Sequence, residues 1–173
     1  MEIKINNNTL IGSAFDAMRE PLGMFEMREM IRRYHDKWWR DGVHGHLYED
    51  QRRDVASAME SNDMKCIDSL DVLLMFRLII QSWRDVFIAV LDRRSQTWCR
   101  ELIDTRNAWA HSTGDGFSDE DTARALDTMA RLMEQIDPET ATGIRDLYRQ
   151  LVSRDQVTAA QPEPAKATTS SFS

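Results

Sequence analysis

Glycine and proline are scarce, at 7 and 4 of 173 residues, and no run of alternating or β-branched residues occurs, which removes the punctuation and the pattern that sandwiches and barrels require. Cysteine is scarcer still. Cys66 and Cys99 have no zinc-ligand spacing and need no pairing, so they read as small buried hydrophobes. No apolar run approaches the roughly 20 residues that cross a bilayer, and the mean hydropathy of -0.53 agrees in excluding an integral membrane protein. Met1 to Asn8 has neither the basic end nor the apolar stretch of a secretory signal, so the expected compartment is the cytoplasm. Positive charge is also short: 22 Lys and Arg face 29 Asp and Glu, a formal charge of -7. That is the wrong sign for coating nucleic acid, and any chemistry on nucleic acid must be confined to a local site.

What is present is helical periodicity along nearly the whole chain, which predicts an all-α bundle of six or seven helices. A first helix is expected over Leu10 to Glu20, with Pro21 and Gly23 interrupting it, and a second over Leu22 to Arg40. A weaker helix follows at Glu49 to Glu60. Ser69 is placed to cap a long central helix from Leu70 to about Leu91, whose stripe is Val72, Met75, Phe76, Ile79, Trp83, Val86, Phe87 and Val90. The next helix runs from Ser95 to His111 and is broken by Gly114-Asp115-Gly116. Ser118 caps another, its acids Asp119, Glu120 and Asp121 at the favourable dipole end, and Asp137-Pro138 opens the last. Near Arg154 the composition shifts to Ala, Thr, Ser, Gln and Pro. The expected organisation is therefore one helical domain over 1–153 and a disordered tail or linker over 154–173.

Projected at 100° per residue, the helix from Ser95 to His111 puts Trp98, Cys99, Leu102, Ile103, Trp109 and Ala110 within an arc of roughly 140°. Arg106 falls in the middle of that arc. A guanidinium there must be paired, open onto a cleft or meet a second chain, because an unpaired buried charge costs several kcal/mol. Asn107, Arg100, His111 and Asp104 share the opposite face. Arg106 and His111 lie roughly 7.5 Å apart along the axis and about 140° around it, so they do not converge within one straight helix. A second copy brought in by a dimer solves this, and the apolar arc is the surface expected to pair. The bland alternative is an ion pair of Arg106 with Asp85 or Asp104, and a His111 that only completes a helix end.

The string Arg106-Asn107-Ala108-Trp109-Ala110-His111 has the spacing of the HEPN superfamily, an Arg, a polar residue and a His four to six positions after the Arg. Its surroundings resemble one branch of that superfamily, named for a eukaryotic transcript-surveillance endoribonuclease. They include Gly12-Ser13-Ala14-Phe15-Asp16-Ala17-Met18, Asp36-Lys37-Trp38-Trp39, Trp83-Arg84-Asp85-Val86-Phe87, and Glu101-Leu102-Ile103-Asp104-Thr105 before the motif. The resemblance covers roughly Leu10 to Leu151. It implies a helical bundle that dimerises with motif helices facing, forming one composite cleft with two Arg and two His, and a metal-independent endoribonuclease without cofactor. It further implies a defence or toxin context, with an ATPase or another defence protein as partner. Only RNA supplies the attacking 2′-hydroxyl. The roles then fall on His111 as acid and base, Arg106 as phosphate clamp, and Asn107 as orienter. Arg93, Arg94 and Arg100 are the nearest basic residues to track an RNA backbone. The alternative within the family is a non-catalytic dimerisation or docking module. No Tyr lies near His111, so the tyrosine modification that silences some HEPN toxins has no acceptor there.

Other clusters carry less. His44-Gly45-His46 with His35 and Asp41 lacks a cysteine or a third carboxylate at ligand spacing and is read as a solvated loop without metal. Trp38-Trp39 with Tyr34 and Arg33 is a conceivable base-stacking platform, but core packing explains it first. Gly114-Asp115-Gly116 is no phosphate loop, lacking the following Lys and the preceding strand.

Overall fold

The computed structural model describes residues 6–53, 70–112 and 116–159. Asn6 sits in an extended conformation and its side chain accepts the Thr9 N–H at 2.8 Å, which starts helix α1, Asn7–Tyr34. Pro21 lies inside this helix, and the two helices expected on either side of it are one. Proline removes one backbone donor and crowds the preceding turn. Here that cost is offset by burial on both sides of it, with Phe15, Met18, Leu22 and Phe25 all in the core. The helix stops earlier than expected, at Tyr34, because His35 adopts a positive φ of 55° and turns the chain. A tight helical turn His35–Lys37, a wide one over Trp38–Val43 and a second tight one His44–His46 follow. They fold back on α1 so closely that a Cβ on Gly42 would stand 2.8 Å from Met30 Sδ. Of the helix expected over Glu49 to Glu60, residues 49–53 are helical and the remainder lies outside the described residues.

Helix α2, Val72–Gln81, is capped by Asp71, whose carboxylate accepts the Leu73 N–H at 2.9 Å. Ser69, the expected cap, lies outside the described residues. The helix does not continue to Leu91. Past Ser82 the amides of Phe87 and Ile88 bond five residues back, to Ser82 and Trp83, and a tight turn Phe87–Ala89 closes the segment. The wider loops keep Trp83, Val86 and Phe87 buried while Ile88 faces outward. Helix α3, Arg94–Ala110, starts where the Asp92 carboxylate accepts the Arg94 N–H at 2.8 Å. Helix α4, Asp119–Ile136, is capped by Ser118, which accepts the Asp121 N–H at 3.0 Å. Helix α5, Pro138–Ala159, extends past the end expected near Arg154.

The architecture is an all-α bundle, with no strand among the described residues. Helices α4 and α5 form one antiparallel pair and α2 packs on α3, while α1 crosses between the two pairs and touches every other helix. Phe15, Phe76, Leu102, Leu126 and Met129 belong to one shared core. At the start of α3, the Asp92 N–H donates to Gln135 Oε1 at 2.6 Å and Gln135 Nε2 donates to Ser95 Oγ at 2.9 Å, fixing that end against α4.

Candidate functional site

Helix α3 has two distinct sides. Cys99 and Leu102 are fully buried, and Trp98, Ile103 and Trp109 pack against the core. The apolar arc is therefore occupied within the protomer, which corrects its assignment as the surface for a second copy. On the other side, Arg93, Thr97, Arg100, Asp104, Asn107 and His111 are all exposed. Their alternating spacing of four and three places them in one stripe along the helix. Four of the six residues singled out from sequence, Arg93, Arg100, Asn107 and His111, thus share a solvent face. Arg94 sits at the helix start beside Asp92, with its Nε 3.6 Å from Oδ1.

Arg106 stands at the flank, its side chain 18% exposed. Its Nε donates to Asp71 Oδ1 at 3.2 Å and its Nη2 to Asp71 Oδ2 at 2.6 Å. The guanidinium also lies over the Trp109 ring, 5.2 Å from its centroid. The charge inside the arc is thus paired, with neither Asp85 nor Asp104 but with the cap of α2.

His111 is the residue that ends α3, its amide donating to the Asn107 carbonyl at 3.2 Å and its ring exposed. The first turn of α1 holds this end in place. Asn8 Nδ2 donates to Ser112 Oγ at 2.7 Å, the Phe117 N–H donates to Asn8 Oδ1 at 3.2 Å, and Trp109 Nε1 donates to the Asn8 carbonyl at 2.9 Å. Asn7 Nδ2 donates to the Phe117 carbonyl at 2.8 Å and to Asp119 Oδ1 at 2.7 Å, and Arg154 Nη2 bridges Asn7 and Asp119 from α5. Gly116 has φ 71°, and a Cβ there would stand 2.6 Å from Asn8 Oδ1. Glycine answers both constraints. Asn7, Asn8 and Gly116 were missed as site residues by sequence reasoning. The one signal they offered was the run Asn6-Asn7-Asn8 before the first helix, three side chains that prefer capping to helix interiors.

Two hollows flank α3. One of about 350 Å³ lies toward α4, lined by Glu101, Asp104, Asp121 and Arg124 among others. Arg124 Nη2 donates to Glu101 Oε1 at 2.8 Å, so these two charges are partnered with each other. The other, about 440 Å³, lies between Trp109 and the start of α1 at Asn8, Gly12 and Asp16. No three His, Cys, Asp or Glu residues gather to hold a metal among the described residues. Trp38 and Trp39 meet edge to face at 5.7 Å and pack on the core.

The family model for Swt1-like HEPN matches residues 13–137, a span that includes all of α2, α3 and α4. The chain belongs to the Swt1-like HEPN family. No curated protein and no solved structure is similar enough to match it. HEPN domains commonly bind RNA and dimerise, so membership identifies an RNA-related or docking module. In this HEPN domain Arg106 lies on the α2-facing flank of α3 and His111 on its exposed face. No helix among the described residues is long and apolar enough to cross a membrane.

Proposed function

We propose that this HEPN domain is a metal-independent endoribonuclease that works as a homodimer in the cytoplasm, in a defence or toxin context beside an ATPase or another defence protein. The observation that carries the reading is the exposed stripe ending in Asn107 and His111, with Arg106 held on the adjoining flank of the same helix. Because the Arg and His point roughly 140° apart on one helix, a two-fold axis near the end of α3 is what brings an Arg from one protomer toward a His from the other. In this reading one His111 takes the proton of a ribose 2′-hydroxyl as its oxygen attacks the neighbouring phosphorus. The 5′-oxygen leaves and takes a proton from water, which regains one from the protonated His111, so each half-site needs one Arg from one chain and one His from the other. Arg106 stabilises the added charge on the five-coordinate phosphate, and Asn107 orients the imidazole or the phosphate. Arg93 and Arg100 lie along the stripe where an RNA backbone would run, and Arg94 flanks its start.

The test is cleavage of fluorescent RNA in the presence of EDTA. Wild type should yield a 2′,3′-cyclic phosphate and spare a substrate whose scissile ribose is 2′-deoxy. His111→Ala should lose about 10²-fold or more in rate while still binding RNA, and Arg106→Lys should recover little, since a point charge cannot replace the fork. Equal inertness of wild type and His111→Ala on a broad RNA panel rejects the nuclease. The second reading, a docking module that cleaves nothing, is favoured by one observation: Arg106 already has a carboxylate and an aromatic face for partners.

A further inference from the structure

We propose that Asp71 is the positioning residue of the site, holding Arg106 by one edge of its guanidinium so that the other edge meets the phosphate. This rests on the endoribonuclease reading.

The Asp71 carboxylate is itself fixed. It caps α2 with Oδ1 accepting the Leu73 N–H, and the Asp71 carbonyl accepts the amides of Leu74 and Met75 at 3.0 and 3.2 Å. Such a carboxylate cannot swing without losing its helix cap. It takes the Nε and Nη2 edge of Arg106. Trp109 supports the guanidinium from its face, and Trp109 is in turn fixed by the Asn8 carbonyl, by Phe15 at 6.0 Å edge to face, and by the close passage of Gly12. Three of the five guanidinium N–H groups remain, two on Nη1 and one on Nη2, and these form the second fork that a phosphate can take bidentately. Arg106 is therefore oriented before RNA arrives, and its charge is partly masked by Asp71.

Removing the acid should then move two quantities in opposite directions. Asp71→Asn is the informative variant because asparagine caps helices as well as aspartate does, so α2 keeps its start while the charge and the clamp are lost. Binding of an uncleavable 2′-deoxy-substituted RNA should tighten several-fold as Arg106 is unmasked. The cleavage rate at saturating RNA should fall on the order of tenfold to a hundredfold, the size of effect that misplacing a reacting group carries. A rate within twofold of wild type overturns the proposal, and so does RNA binding that weakens in parallel with the rate.

A second readout needs no cleavage. The side-chain Nε–H resonance of Arg106, assigned through Arg106→Lys, should be sharp and slow to exchange in the wild type. In Asp71→Asn it should shift and exchange rapidly, while the Trp109 indole resonance stays in place as the sign of an intact fold. An unchanged Arg106 signal removes the clamp. A changed signal in a protein that cleaves no RNA keeps the clamp and rejects the nuclease instead.

Discussion

Glu26 is fully buried on α1 and neither carboxylate oxygen has a hydrogen-bond partner among the described residues. Burial pushes its carboxyl well above the usual value. Below about pH 4.3, the ordinary value for a glutamate in an unfolded chain, the acid is neutral in both states. As pH rises, the unfolded chain gains by ionising and the folded one does not, so stability falls until the pH passes the folded value. Glu26→Met should remove this fall and raise stability at pH 8 by about 1–3 kcal/mol, the cost of an unsatisfied buried polar group. Urea midpoints at pH 5 and pH 8 check it: the gap between variant and wild type should widen toward pH 8, and an equal gap at both contradicts it. The same burial, reinforced by Glu26, pushes the Cys99 thiol up, so this cysteine is no nucleophile. Leu102, expected at a subunit interface, is fully buried in its own protomer. Leu102→Ala should cost about 2–5 kcal/mol of folding stability, readable in the same titration, without first dissociating a dimer.

At the scale of elements, α3 and α4 and the start of α5 were legible because their signals are local: Ser118 before three acids, Pro138 at a first helical position, a glycine-rich break after His111. The long α1 was not, since Pro21 is a local veto and the burial that overrides it comes from other helices. Nor was the end of α2, because apolar spacing persists through Ser82 to Leu91 while the backbone widens by one residue. In the site, the stripe of α3 could be read from spacing alone. The partner of Arg106 could not, being 35 residues away with nothing local to couple them. Two substitutions follow. Pro21→Ala restores a backbone donor in mid-helix and should stabilise by about 1–3 kcal/mol, seen as a raised Tm; a lowered Tm would mean that the proline ring matters more to packing than the lost bond. Gly116→Ala must adopt a positive φ and press on Asn8, and should destabilise by more than about 1 kcal/mol. Hydrogen exchange should then quicken at Trp109 to Ser112, the segment Asn8 holds, before it quickens elsewhere.

For the whole molecule, the proposed RNA path runs along the exposed side of α3 that carries Arg93, Arg100, Asn107 and His111, a local site on a chain of acidic balance. One protomer displays Arg106 and His111 on different sides of that helix, so the proposed chemistry stands or falls with the second copy. Mixing chains tests this most directly. Arg106→Ala and His111→Ala proteins, each inactive alone, are unfolded together, refolded as a 1:1 mixture and assayed on RNA in EDTA, with light scattering to confirm twice the chain mass. Half of the dimers then pair one intact Arg106 with one intact His111 across the interface. Cleavage should return to about a quarter of the wild-type rate, with a 2′,3′-cyclic phosphate product. A mixture of confirmed dimers as inactive as either variant, beside an active wild type, would contradict a site shared between two chains.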